Sequence, residues 1–235
     1  MNIIDYVVIG LIALYALNGL YRGFLPSVLN LGGFFVSWVT AFLTYPILSH
    51  QIVSSNVLSQ LKFYIEGSER INNFELVKLD VSTITPTQLD SIMSNAKLPF
   101  PFNNAVVDNI HNLAFKAQGV TTLGDYFNLT IYYVIINIIS LLIIFVAVRI
   151  ILTLITNAVS YAAVLPQLRH FDYLFGAGLG FLRGYFSMHL IFCVVPIIIV
   201  LAGTVPAITD PINASPMTGV FYSASLVLRF ISGAG

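Results

Sequence analysis

The sequence predicts an all-α integral membrane protein with about four transmembrane helices, an interfacial or re-entrant helix and a largely helical extracytoplasmic insert. First, 57% of its 235 residues are hydrophobic and only 9% are charged, whereas about a quarter of a soluble domain is charged. Second, several uncharged apolar runs are long enough to cross a hydrocarbon core of about 30 Å. Third, residues 50–125 hold 12 of the 20 acidic and basic residues. The rest of the chain therefore has very few charges, as expected of segments that lie in an apolar environment.

Residues 1–49 are predicted to form the first transmembrane helix pair. The first span, Ile3 to Tyr21, begins near Asp5 and is followed by Arg22. A cleavable signal peptide has a basic start and small residues at its cleavage site, whereas this span has an acidic start and is followed by Arg22-Gly23. The second span, Val28 to Leu48, has a small residue at every fourth position, which is typical of a helix-packing face: Gly33, Ser37 and Ala41.

Residues 50–125 are predicted to be an insert outside the membrane. Thr85-Pro86 reads as a cap and first helical position of a helix that ends near Ala96. A helical apolar stripe follows, formed by Val106, Val107, Ile110, Leu113 and Ala114. Two interpretations of this insert stay open, a recognition cap for an external partner and a solvated connector.

Residues 126–208 are predicted to form the second transmembrane pair, with residues 150–182 as an interfacial segment and residues 209–235 as a C-terminal tail. The third span, Asn128 to Val148, is followed by Arg149. Asn137 lies near its middle, where an amide needs a hydrogen-bonding partner. A bond to another helix is the favoured role for Asn137, and substrate binding is the alternative.

The stretch from Phe171 to Pro206 combines a glycine ladder with a single arginine. Gly176, Gly180 and Gly184 recur at every fourth residue, so one helix face lets a second backbone approach closely. In a straight helix Arg183 would lie about 16 Å into the membrane, where a charge is expensive. We therefore expect Phe171 to Leu182 to lie flat or dip partway, so that Arg183 stays at the boundary with Arg22.

One motif occurs twice, as Gly-apolar-apolar-Arg-Gly-aromatic after an Asp-Tyr pair. The first copy runs from Gly19 to Phe24 after Asp5-Tyr6, and the second from Gly180 to Tyr185 after Asp172-Tyr173. A diverged duplication and two independent glycine-rich helix ends are both open explanations. Each arginine either extends its side chain to the lipid headgroups or donates paired hydrogen bonds to a carboxylate, helix-end carbonyls or a lipid phosphate.

These residues resemble the colicin V production protein (CvpA) family of bacterial inner-membrane proteins. The resemblance rests on Asp5-Tyr6-Val7-Val8-Ile9-Gly10 leading to Arg22-Gly23-Phe24, on Leu31-Gly32-Gly33-Phe34 with Trp38, and on Asp172 through Arg183-Gly184. The long middle segment is similar to the enlarged versions of this family. The family is named for a requirement in producing a secreted peptide toxin, so the resemblance implies a role in toxin production and no particular chemistry.

The sequence offers little for catalysis. Motifs of metalloproteases, serine hydrolases and nucleotide-binding loops are absent, and Cys193 is the only cysteine. Asp5 and Asp172 are expected near opposite interfaces, so they cannot share a proton. We therefore predict no enzymatic activity, no catalytic, cofactor-binding or metal-binding residue, and, from the zero net charge, no nucleic-acid partner.

The sequence thus predicts a multi-pass inner-membrane protein that supports toxin production or export, or envelope homeostasis. Arginines in the short connections are expected on the cytoplasmic side, which places both termini and residues 50–125 outside. Besides the lipid bilayer, a second copy or an export or envelope protein is the expected partner. A small transporter or channel subunit is the alternative, and an intramembrane enzyme the least favoured one. The candidate functional or packing residues are Asp5, Gly19, Arg22, Gly23, Gly33, Asn137, Asp172, Gly176, Gly180, Arg183 and Gly184.

Overall fold

The computed structural model describes residues 1–55, 58, 60, 62, 65, 67–162, 171–203 and 205–234. In this part of the chain the α-helices are α1 (Ile3–Arg22), α2 (Phe24–Ser54), α3 (Phe74–Val77), α4 (Pro86–Ala96), α5 (Phe102–His111), α6 (Leu123–Ala162), α7 (Asp172–Ile191), α8 (Val195–Leu201), α9 (Pro206–Asn213), α10 (Pro216–Thr218) and α11 (Leu226–Arg229). Four segments are long and apolar enough to cross a membrane, namely α1, α2, α6 and the run from α7 to α8. The predicted all-α class with four spans is confirmed.

Local signals explain where the first helices begin and end. The Asn2 side chain caps α1 by accepting from the N–H groups of Ile4 and Asp5 at 3.0 and 3.3 Å, while the Asp5 carboxylate accepts from the Asn2 N–H at 2.7 Å. Gly23 ends α1 with a φ of 84°, which a residue with a Cβ rarely adopts. This conformation lets the chain turn from α1 directly into α2.

The described residues divide into two compact units. Unit 1 comprises Met1–Tyr45, Leu141–Cys193 and Pro206–Ser225. In unit 1, α7 runs antiparallel to α1, because Gly176 faces Gly19 while Gly184 faces Ile12 and Tyr15. Aromatic pairs join α2 to the other helices of the unit, Phe34 to Phe145 and Phe35 to Phe186, with ring centres 5.4 and 5.0 Å apart.

Unit 2 comprises Pro46–Ser140, Val194–Val205 and Leu226–Gly235. It holds the insert, in which the helix predicted after Thr85 is confirmed: α4 starts at Pro86 with a Thr85 capping box and ends at Ala96. The insert also contributes to the core of this unit. The fully buried side chains there include Phe102, Val106, Phe115, Leu123, Tyr126 and Phe127.

Residues 150–162 continue α6, and Asp172 to Leu182 form the first half of α7, without a break before Tyr185. Residues 163–170, where the sequence predicts a turn at Pro166 and Arg169-His170, lie outside the described residues. The glycine ladder packs this part of α7 along α1 over about two turns. The expected interfacial position of residues 150–182 stays a prediction. The predicted region boundaries at residues 49, 125 and 208 stay predictions.

Candidate functional site: an arginine-lined cavity

The contact between α1 and α7 is close enough to require glycine. A Cβ on Gly180 would overlap the carbonyl oxygen of Tyr15, and a Cβ on Gly176 would overlap that of Gly19. A Cβ on Gly178, by contrast, would meet no atom within 4 Å. The 176, 180 and 184 face is therefore the packing face that the spacing predicts, and α1 is its partner.

This packing places Arg183 deep along α1. Its guanidinium carbon lies 5.1 Å from the centre of the Tyr15 ring, which is a cation–π contact. Tyr15 precedes Arg22 by seven residues of helix, or roughly 10 Å. Arg183 therefore lies beside α1 about two helical turns from the α1 residue Arg22, although both side chains line the cavity described below. Their expected position at one membrane boundary stays a prediction.

A second arginine reaches the same region from α6. Nη2 of Arg149 donates to the Asn30 side-chain oxygen on α2 at 3.1 Å. The approach depends on Gly33, because a Cβ there would lie 2.9 Å from Nη1 of Arg149. Asn30 is buried, and its amide nitrogen already donates to the Pro26 carbonyl at 2.9 Å, so the bond from Arg149 satisfies its remaining side-chain oxygen.

Both arginines keep a buried donor that nothing accepts. Nη1 of Arg149 and Nε of Arg183 are shielded from solvent and make no hydrogen bond. An unmade hydrogen bond of a buried group costs about 1–3 kcal/mol, and more for a charged group. Each arginine therefore carries a buried charged donor for which the described residues supply no acceptor.

A cavity of about 350 Å³ is lined by Arg22 and Arg183, and we call it the arginine cavity. Its lining residues are Leu11, Leu14, Tyr15, Asn18, Arg22, Asn30, Thr153 and Arg183. Arg149 lies against this lining through Asn30. The charges of Arg22, Arg149 and Arg183 act on one another, and among the described residues no carboxylate forms an ion pair with any of the three. The arrangement is a concentrated positive charge beside a partly apolar wall.

Comparison with known protein families identifies the family to which this chain belongs. A family model described as colicin V production protein matches residues 4–74 and 114–231. The chain belongs to the colicin V production protein family. The unmatched residues 75–113 lie within the predicted insert, and no curated protein or solved structure matches the chain. With its four spanning helices, this member of the colicin V production family is a multi-pass membrane protein linked by its family to toxin production.

In this family member, Asp172 connects the two copies of the arginine-glycine motif. Its carboxylate accepts from the N–H of Phe24, the first residue of α2, at 3.2 Å. A Cβ on Gly23 would overlap the same carboxylate, so glycine leaves the room that Asp172 occupies. The structure thus brings Gly23 and Asp172 together outside the arginine cavity, and Asp172 is not the partner of Arg183.

Asp5 lies at the opposite end of α1 and is fully buried. Besides the Asn2 N–H, its carboxylate accepts from the Ser215 hydroxyl at 2.6 Å and from the Met217 N–H at 3.3 Å. Asp5 therefore fastens the start of α1 to the segment around α10. Its distance from Asp172, the length of α1, is about 30 Å at 1.5 Å per residue.

Asn137 and His189, two polar residues of the spanning segments that a transporter could use to line a polar path, do not line the arginine cavity. In unit 2, the Asn137 side chain accepts from the Ser49 hydroxyl and donates to the Ser232 carbonyl at 2.8 Å. In unit 1, the ring of His189 packs edge-on against those of Tyr185 and Phe221, with centres 5.1 Å apart in each case. Asn137 thus makes the bond to another helix that its position favours.

The sequence reasoning missed Arg149, Asn30 and Tyr15 as parts of one site. Arg149 was interpreted as the residue that closes a span, because the apolar run before it is already membrane-length. The available signal was the polar series Thr153, Thr156 and Asn157, which continues the helix face of Arg149 at helical spacing. Among the described residues, no group of three or more metal-ligating side chains converges, and the expected lack of a metal or cofactor stays a prediction.

Proposed function

We propose that this protein is a non-enzymatic component of the bacterial inner membrane that supports toxin production or export, or envelope homeostasis, through its arginine cavity. The supporting observation is a cavity lined by Arg22 and Arg183, with Arg149 bonded to its wall at Asn30 and with buried guanidinium donors of Arg149 and Arg183 left without an acceptor. A buried charge without a partner is costly, so such a cluster in a membrane helix bundle marks a functional site.

The side chains at the cavity favour binding over catalysis. Its lining offers guanidinium, amide and hydroxyl groups beside leucine, and none of the lining residues is a carboxylate, histidine or cysteine. Those three groups are the usual general bases and nucleophiles of enzymes. Asp5 and Asp172 contact opposite ends of α1, so they are placed to hold helices and not to act as a pair.

We propose an orientation with both termini and residues 50–125 outside the cytoplasm. Four crossings return the chain to its starting side, and Asn2 donates to the Pro211 carbonyl at 2.6 Å, which fits an N-terminus and a C-terminal segment on one side. Arg22 and Asp172 then lie toward the cytoplasm. The expected orientation rests on Arg22, Arg149 and Arg169, of which Arg169 lies outside the described residues.

A small transporter or channel subunit is the second candidate, because the arginine cavity is a polar space between spanning helices. A transport path would have to include this cavity, because the Asn137 side chain is bonded to Ser49 and Ser232 and the His189 ring packs against Phe221. Anion flux into vesicles that contain the purified protein tests this candidate. Anion flux that is lost when Arg183 is substituted would favour the transporter. Flux no higher than that of empty vesicles would favour the supporting component that does not transport.

The proposed partners, besides the bilayer, are a second copy of the chain or an export or envelope protein. Affinity capture from a toxin-producing strain in mild detergent tests this part of the proposal. A protein recovered with the wild type and lost with Arg183→Gln would support a partner that depends on the cavity. Equal recovery with both forms would place the contact elsewhere.

Complementation tests the proposed function itself. In a toxin-producing strain that lacks its own family member, Arg183→Lys and Arg22→Lys are expected to accumulate normally and to lose most toxin release. Lysine keeps the charge but not the planar donor set of arginine. Arg229→Lys, at an exposed arginine outside the cavity, is the matched control and should release as much toxin as the wild type. Full release by both cavity variants would overturn the proposal.

A further inference from the structure

We propose that the arginine cavity binds a phosphate group, supplied either by the headgroup of an anionic lipid or by a free phosphate ion. The inference rests on the proposed function, in that it names the ligand of the same site. It starts from the two arginines that line the cavity, Arg22 and Arg183, and from Arg149, which is bonded to its wall at Asn30. All three carry planar guanidinium groups whose geometry suits phosphate and carboxylate oxygens.

The charge at the cavity decides between these two anions. Arg22, Arg149 and Arg183 bring three positive charges that repel one another, with no ion-paired carboxylate among the described residues. A single carboxylate would offset one charge and offers two oxygens. A phosphate monoester carries nearly two negative charges and three terminal oxygens, so it can accept from more than one guanidinium at once. Phosphate is therefore the better match to a cavity that is lined by two arginines and has a third bonded to its wall.

The cavity walls admit a lipid as the source of the phosphate. Leu11 and Leu14 line the cavity on α1, and Leu14 is 62% exposed on a helix that is apolar enough to span the membrane. A headgroup at the arginines would leave its acyl chains against this apolar surface. Arg22, exposed at the end of α1, marks the route by which a free ion would enter instead.

The volume is consistent with a headgroup-sized ligand. The cavity of about 350 Å³ lies at the lower end of the range typical for small-molecule sites. Asn18 adds an amide to the lining, which is a neutral donor suited to phosphate oxygens, whereas the Thr153 hydroxyl already donates to the Arg149 carbonyl at 2.7 Å. The site thus pairs convergent polar groups with an apolar wall.

The test uses full-length protein purified in mild detergent. Native mass spectrometry measures the lipid retained per chain after addition of phosphatidic acid or of phosphatidylcholine, whose headgroup has no net charge. Titration calorimetry measures binding of inorganic phosphate. Wild-type protein should retain one phosphatidic acid and little phosphatidylcholine. Arg149→Gln and Arg183→Gln should each weaken the binding about tenfold or more, because each removes a charged hydrogen bond.

Matched variants separate loss of the ligand from loss of the fold. Arg229→Gln should bind like the wild type. Gly33→Ala should weaken binding, because its Cβ displaces the Arg149 guanidinium, whereas Gly32→Ala should not, because its Cβ meets no atom within 4 Å. This pair keeps the proposal testable even if the glutamine variants fail to fold.

The possible outcomes are distinct. Phosphate binding by calorimetry without lipid retention, weakened by the same variants, would support the site with a free ion as its source. Equal retention of both lipids together with no phosphate binding by folded wild-type protein would overturn the inference. In that case loss of toxin release by the lysine variants would still support the proposed function. Specific binding with full release by the lysine variants would overturn the proposed function alone.

Discussion

The guanidinium carbon of Arg183 lies 5.1 Å from the centre of the Tyr15 ring. A cation over an aromatic ring gains about 0.5–2 kcal/mol, with the larger values where water is excluded. This contact exists because Gly180, one turn before Gly184, leaves α7 in backbone contact with Tyr15. The glycine ladder thus allows the close helix packing that brings the Arg183 guanidinium over the Tyr15 ring.

The ladder predicts a large difference between two neighbouring glycines. Gly180→Leu should lower the thermal stability of the purified protein, because its side chain would push α1 away at Tyr15; overpacking typically costs about 1–3 kcal/mol. Gly178→Leu is the matched control and should change the melting temperature little, since its Cβ meets open space. Thermal aggregation in detergent measures both, and equal losses would contradict the α1–α7 contact.

The buried carboxylate of Asp5 is predicted to stabilise unit 1. Asp5→Asn keeps the shape but replaces one acceptor oxygen with a donor, so at least one of the bonds from Asn2, Ser215 and Met217 must break. We expect a loss of about 1–3 kcal/mol in the free energy of unfolding. Asp210→Asn, at an exposed position in the same unit, is the control. Unchanged thermal stability of Asp5→Asn would show that these bonds contribute nothing.

The proposed orientation is testable with single cysteines. Cys193→Ser provides the background, because Cys193 is buried and serine can keep the bond that the thiol donates to the His189 carbonyl. A cysteine at Asn73, in the insert, should react with a membrane-impermeant maleimide in intact cells. A cysteine at Gln167, which lies outside the described residues, should react only after lysis. The reverse labelling pattern would show that the protein has the opposite orientation in the membrane.

The sequence predicts the spans well because each is a long apolar run, and hydropathy depends only on local composition. The packing face of α7 is likewise local, since Gly176, Gly180 and Gly184 share one side of a helix. The same reasoning explains the helix from Pro86 to Ala96, whose cap residue immediately precedes it.

The arginine cavity could not be predicted in the same way. Arg149 and Asn30 are 119 residues apart and meet only when α2 and α6 pack. The contact of Arg183 with the Tyr15 ring could not be predicted, because the two residues lie on different helices that are far apart in the sequence. The bond between Asp172 and Phe24 is also long-range, and no periodic pattern marks it.

Arg149 provides the most direct test of the central claim, because neither its position after a span nor the family motif singles it out. If it only anchors α6, lysine should replace it fully. If it belongs to the cavity, lysine cannot both donate to Asn30 and present a second planar donor to a ligand. The measurement is toxin release by Arg149→Lys in the complementation strain, at wild-type protein levels and beside Arg229→Lys. Loss of most release, as for Arg183→Lys, is the predicted result, and release equal to that of the wild type would contradict the account.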